Sequence, residues 1–165
     1  MEEAEFNAEL ASAESIADIF ELVKEVVYDL TEEEQAGIMV GLSDLGKTPK
    51  GFVGAYYSSH SNMIILNKRI MEQIKWQTPE LIKPYLFHLL LHEYIHSIGV
   101  YDELQTRELT NKIAQRIGDE TIIKMSENLT KHFPEIVHTE KIEVPNDQNI
   151  YFVKGIDRKN MNYIY

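Results

Sequence analysis

Residues 85-YLFHLLLHEYIHSIG-99 constrain the fold of this 165-residue chain more than any other stretch. Leu86, Leu89, Leu90, Leu91, Ile95 and Ile98 leave no polar face on a helix. Such a helix has to run through the middle of a domain, with neighbours on every side. Gly99 ends it. Within this apolar helix stand His88, His92, Glu93 and His96. Polar groups without partners in a core cost roughly 1–3 kcal/mol each, so these four must satisfy one another or hold something.

The surrounding segments supply the layers that cover this helix. Ile16, Ile19, Phe20, Val23, Val27 and Leu30 recur at helical spacing and predict an amphipathic helix over 13–30. Thr31 and Glu34 have the form of a capping box, predicting a second helix through Ile38, Leu42 and Leu45 that stops at Gly46. Gly37 and Gly41 weaken that helix unless something packs closely on its backbone. The stretch 51-GFVGAYYSSHSNMIILN-67 has two β-rich runs around a polar tip and reads as a hairpin. Its second run is apolar on both faces, as in a strand covered on both sides.

Thr78-Pro79-Glu80 is a helix start. Pro84 one turn later either kinks the central helix or moves its start to Tyr85. A further helix is expected from Asp102 to Ile117, closed by Gly118, and 119–138 is partly helical. Over 139–165 the character changes: KIEV-PNDQ-NIYFV reads as a second hairpin and the last residues are polar and tyrosine-tipped. The expected organisation is therefore an α+β domain over 1–138 followed by a β-hairpin tail over 139–165.

The chemistry lies in 92-HEYIH-96. One helical turn presents His92 and His96 to a common point, the separation tetrahedral zinc needs, with Glu93 placed to take a proton from water. By itself the pattern fixes only three residues and arises by chance; the buried setting strengthens it. His88 belongs to a different turn. Successive turns rise about 5.4 Å, so three histidines in a row do not converge on one ion, and His88 is a packing or supporting residue.

A third ligand must follow Gly99, and Asp102, Glu103 and Glu108 are the acids available. Leu109, Ile113 and Ile117 set the inward direction of the helix they share. At about 100° per residue, Glu108 points roughly 140° away, Glu103 about 80° and Asp102 about 20°. Asp102 is also the natural N-cap, with Gln105 as its capping-box partner, which occupies its carboxylate with backbone N–H groups. Glu103 is therefore the preferred ligand and Asp102 the alternative.

Composition narrows the partners. There is no cysteine, so a metal has to sit on His, Asp or Glu. A net charge of -11 with no basic cluster argues against nucleic acid or an anionic membrane as partner. The acidic start MEEAEF lacks the features of a signal peptide and no apolar run spans a bilayer, so a cytoplasmic protein is expected.

From AGIMVGLSDLG through KGFVGAYYSS and NMIILN to LLLHEYIHSIGVYDELQTRELT, roughly 36–117, the chain resembles the small archaeal zincin metallopeptidases related to the minigluzincins. The first helix and the tail lie outside the likeness. The resemblance implies a zincin-like α+β fold, with helices on a small, mostly antiparallel sheet around the HExxH helix. It implies Zn2+ on His92, His96 and Glu103, Glu93 as general base, and a peptide or protein substrate paired along 62-NMIILN-67. HEYIHSIGVYD also fits the metzincin form HExxHxxGxxD, with Asp102 as ligand. That form needs a methionine turn, and Met125 and Met161 sit in no obvious one.

A catalytically idle zinc-binding domain that docks peptides shares every ligand, and a metal-free structural protein shares none. Tyr101, His132 and His138 are candidate oxyanion donors that read equally well as surface or packing residues, and His60 reads as a turn residue. Three roles are open to the tail: completing the sheet, covering the cleft, or exchanging into a second copy as a homodimer.

Overall fold

The computed structural model describes residues 1–137 and 141–156. Among them are seven α-helices and one four-stranded mixed sheet, an α+β architecture. Helix α4, Ile82–Ser97, is the centre, with twelve of its sixteen residues buried. Pro84 falls in its first turn, where a missing N–H removes no helical bond, so the helix begins before the proline without a break there. A 3-10 turn at Pro79–Leu81 leads into it.

Two helices precede the sheet where the periodicity predicts one. Helix α1, Glu3–Ser12, buries Phe6 and Leu10; helix α2, Ile16–Thr31, is capped by Ser15, whose side chain accepts from the Asp18 N–H. Both pack on α4. Phe6 meets Phe87 edge-on at 4.8 Å and Phe20 meets Tyr94 at 5.6 Å, contacts that lock the helix in rotation as well as position.

The capping box at Thr31 is not used. Thr31 ends α2, its hydroxyl donating to the Val27 carbonyl, and Glu32 takes the left-handed cap at φ 58°. Instead of a second helix, Met39–Ser43 forms strand β1, parallel to β3, Met63–Asn67. Strand β2, Ala55–Ser58, is the other arm of the hairpin and pairs antiparallel to β3. Gly41, a liability in a helix, suits the strand: a Cβ there would lie 2.7 Å from Ile150 and 3.1 Å from Ile65. The sheet runs β2-β3-β1-β4.

Helix α3, Lys68–Gln77, follows β3 directly and has no counterpart in the sequence reading. Asn67 starts it and is almost wholly buried, accepting from the Leu45 and Arg69 N–H groups and donating to the Gly46 and Val53 carbonyls. Helix α5, Glu103–Ile117, ends at Gly118, and α6, Glu120–Glu127, and α7, Pro134–Val137, complete the described helices. No helix among the described residues is long and apolar enough to cross a membrane.

The described tail forms no hairpin with itself. Glu143 pairs with Lys47, and β4, Tyr151–Phe152, joins β1 antiparallel while Ile156 enters the core. A clamp holds the segment between: Asp44 accepts twice from Arg69, at 2.9 and 2.6 Å, and once from the Asn146 N–H, while Arg69 donates to the Val144 carbonyl. Residues 138–140 and 157–165, with His138 and Met161, lie outside the described residues.

Candidate metal centre

Helices α4 and α5 meet across a tight turn, and that turn builds the site. Gly99, at φ 109°, reverses the chain after α4 and sets the Val100 carbonyl 2.8 Å from Nδ1 of His96. Asp102 then caps α5, accepting from the Gln105 N–H at 2.9 Å. Its carboxylate is thereby committed to the backbone, and Glu103, first residue of the helix, is free to turn back. Glu103 Oε1 lies 2.7 Å from His96 Nε2, and Oε2 lies 3.2 Å from His92 Nε2. One ligating atom from each of these three residues falls within 4.8 Å of the others, a group that could hold a metal ion.

Proton bookkeeping at His96 sharpens this. A carbonyl only accepts, so Nδ1 must carry a hydrogen to meet Val100. In the neutral ring Nε2 is then a bare lone pair, facing a carboxylate oxygen at 2.7 Å. Two acceptors at that distance need a proton, carried by either group, or a metal ion between them. Ligand atoms about 2.1 Å from a tetrahedral metal stand about 3.4 Å apart, so the three fit such an ion after Glu103 backs off His96 by about 0.7 Å and the widest pair, within 4.8 Å here, draws together. Thr106, fully buried, supports the same turn: its Oγ1 lies 3.0 Å from the Val100 carbonyl, 2.8 Å from that of Asp102 and 3.3 Å from His96 Nδ1.

Glu93 is buried beside these ligands and does not join them. Burial pushes its carboxyl up to about 7; the Glu103 charge adds to the rise, while His96 and the Tyr57 N–H oppose it. Burial also lowers His92, partly countered by Glu103. The Tyr57 contact follows from strand phase. Asn67 donates to the Gly54 carbonyl at 2.8 Å, and alternation then turns the amide groups of Ala55 and Tyr57 to the outer edge of β2.

That edge corrects the expectation for NMIILN. Strand β3 is paired on both sides, with β1 and β2, so its backbone is used up. The free edge beside Glu93 and His96 belongs to β2, one hairpin arm earlier. Two cavities flank the ligands. One of about 570 Å³ reaches from Gly54 and His88 to residues 125–130; the other, about 300 Å³, lies among Tyr56, Tyr57, Tyr101 and Glu93.

The structure brings His92, Glu93, His96 and Glu103 together and leaves the other candidates apart. His88 is buried one turn away, outside the ligand group, and Glu108 is exposed. Tyr101 lines the smaller cavity, His132 is half-buried near His88, and His60 is exposed at the hairpin tip. Met125 is buried within α6. Sequence reasoning missed the Val100 carbonyl, Thr106 and the Tyr57 N–H. Thr106 alone had a signal, since it falls on the same helical stripe as Leu109 and Ile113; backbone groups carry none. No protein-family model matches this chain, and neither a curated protein nor a solved structure does.

Proposed function

We propose that the chain is a zinc-dependent peptidase of the small zincin kind, with His92, His96 and Glu103 as ligands and Glu93 as general base. The relation between His96 and Glu103 carries this reading, because it calls for a proton or a metal ion where a third ligand completes the HExxH pair. Two imidazoles and one carboxylate are the donor set of a catalytic zinc site that keeps a fourth position open. Zn2+ held there supplies a Lewis acid for the scissile carbonyl and makes water a better nucleophile at neutral pH.

The chain's own groups do the rest. Glu93, held near neutrality by burial, takes the proton of the attacking water and delivers it to the leaving amine. The Tyr57 N–H orients the Glu93 carboxylate. The outer edge of β2, through Ala55, offers main-chain groups to an extended peptide, which aligns the scissile bond over the ligands.

Metal analysis and peptide cleavage on three chains test the reading. Wild type should carry one zinc and cleave. Glu93→Ala should keep the zinc and lose cleavage by about 10²–10⁴-fold, the usual worth of a general base. His96→Ala should lose both. Cleavage retained in Glu93→Ala refutes the mechanism, and zinc without cleavage in wild type leaves a peptide-docking module.

A further inference from the structure

The larger cavity holds two groups that the peptidase reading does not use. His88 is buried at its inner end, 8% exposed, and neither ring nitrogen has a hydrogen-bond partner among the described residues. Its Nδ1 is sealed from solvent without a partner, a standing cost inside the protein, while the ring's other nitrogen is not sealed off with it. Arg107 lies one turn after Glu103 on α5, lines the same cavity and has no carboxylate partner among the described residues. Its charge is felt at His92.

Two of the three acids that line the cavity are committed elsewhere. Glu103 and Glu93 belong to the metal centre. Glu127 also lines the cavity, and its charge is felt at Lys124, which is ion-paired with Glu120 at 2.8 Å. His132 faces His88. Outside the metal centre, the cavity lining carries Arg107, His88 and Glu127, so Arg107 is the one cation among the described lining residues. Leu89 and Met125 supply apolar wall for a methylene stem.

We propose, resting on the peptidase reading, that this cavity takes a carboxylate of the bound peptide, paired with Arg107 and hydrogen-bonded to the His88 imidazole. A Glu side chain and a free C-terminus offer the same chemistry.

Glu93→Gln supplied with one equivalent of Zn2+ keeps the cavity without consuming the probe, so calorimetric titration reads binding alone. The probes are blocked heptapeptides with Glu, Gln or Leu walked through the central positions, and the Leu peptide cut back to a free C-terminus. At one position Glu, or the free C-terminus, should bind about tenfold more tightly than Leu and several-fold more tightly than Gln or the amide. Whichever probe shows the gain identifies the source of the carboxylate. Adding Arg107→Gln should abolish the advantage of the carboxylate over its amide, adding His88→Leu should reduce it, and Arg116→Gln on the same helix should leave it. Equal affinities, no binding, or an advantage untouched by Arg107→Gln overturns the proposal. A carboxylate preference together with a wild type that never cleaves keeps the cavity assignment and removes the peptidase.

Discussion

Replacing His88 with leucine tests whether an unpartnered imidazole is held neutral inside this fold. Burial, and then the charges of His92 and His132, lower its pKa from 6.5 to about 4. The unfolded chain binds this proton near 6.5 and the folded chain only near 4, so between the two the unfolded state holds more protons and stability rises with pH. The contribution is intact above 6.5 and is lost as pH falls towards 4. At about 1.36 kcal/mol per pKa unit, the full loss is roughly 3 kcal/mol, and about 2 kcal/mol of it has gone by about pH 5. Urea unfolding at about pH 7.5 and about pH 5, with chelator present throughout, separates this from metal release. Near pH 7.5 the two chains should agree within about 1 kcal/mol, because leucine removes an unpaired polar group and introduces a different shape. Near pH 5 His88→Leu should gain about 2 kcal/mol on wild type. If the two chains lose the same stability between the two pH values, His88 is not buried neutral and the reasoning is refuted.

Three further perturbations probe the frame. Asp44→Ala leaves Arg69 without its carboxylate and should cost about 2 kcal/mol in denaturant midpoint while exposing 143–150 to limited proteolysis. The Arg69 hydrogen bonds hold Asp44 down to about 2 from 3.8, so its contribution is present above 3.8 and should fade as pH drops towards 2, a more acid window than that of His88. Asn67→Ala strips the Leu45 N–H and the Gly46 and Val53 carbonyls of their partner, and a loss of about 3 kcal/mol or more is expected by urea unfolding. Thr106→Val removes the hydroxyl beside His96 Nδ1 without emptying space, and zinc affinity in chelator competition should fall by about tenfold.

The helices that bury a continuous stripe were legible because that pattern is local. The apolar run at 85–98, the stripe of α2 and the caps at Asp102 and Gly118 need only near neighbours in the chain. Strand β1 was not legible, because its state is decided at β3, some two dozen residues away, by parallel pairing. Locally, Ile38, Leu42 and Leu45 fit a helix as well. The two tail arms failed the same way. Each alternates like a hairpin arm, but Glu143 bridges to Lys47 and β4 pairs with β1, so the arms take those edges instead of each other. Helix α3 carried a signal, Asn67 as cap with Ile70 and Ile74 inward, that the preceding strand obscured.

At the site, angle alone favours Asp102 over Glu103, and capping reverses that order. The reversal has an electrostatic reason. The candidate metal position lies where the last turn of α4, a partially negative helix end, meets the first turn of α5, a partially positive one. The α5 end repels a cation, so a ligand there must bring a full negative charge with it. Asp102 cannot provide that charge, because its carboxylate accepts from the Gln105 N–H and neutralises the helix end. With that end satisfied, Glu103 faces both imidazoles with an uncommitted carboxylate. Asp102→Asn keeps a capping oxygen and should spare zinc binding, whereas Glu103→Gln keeps the shape, removes the charge and should weaken it by more than about tenfold. If chelator competition gives the reverse order, Asp102 is the ligand and the capping argument fails.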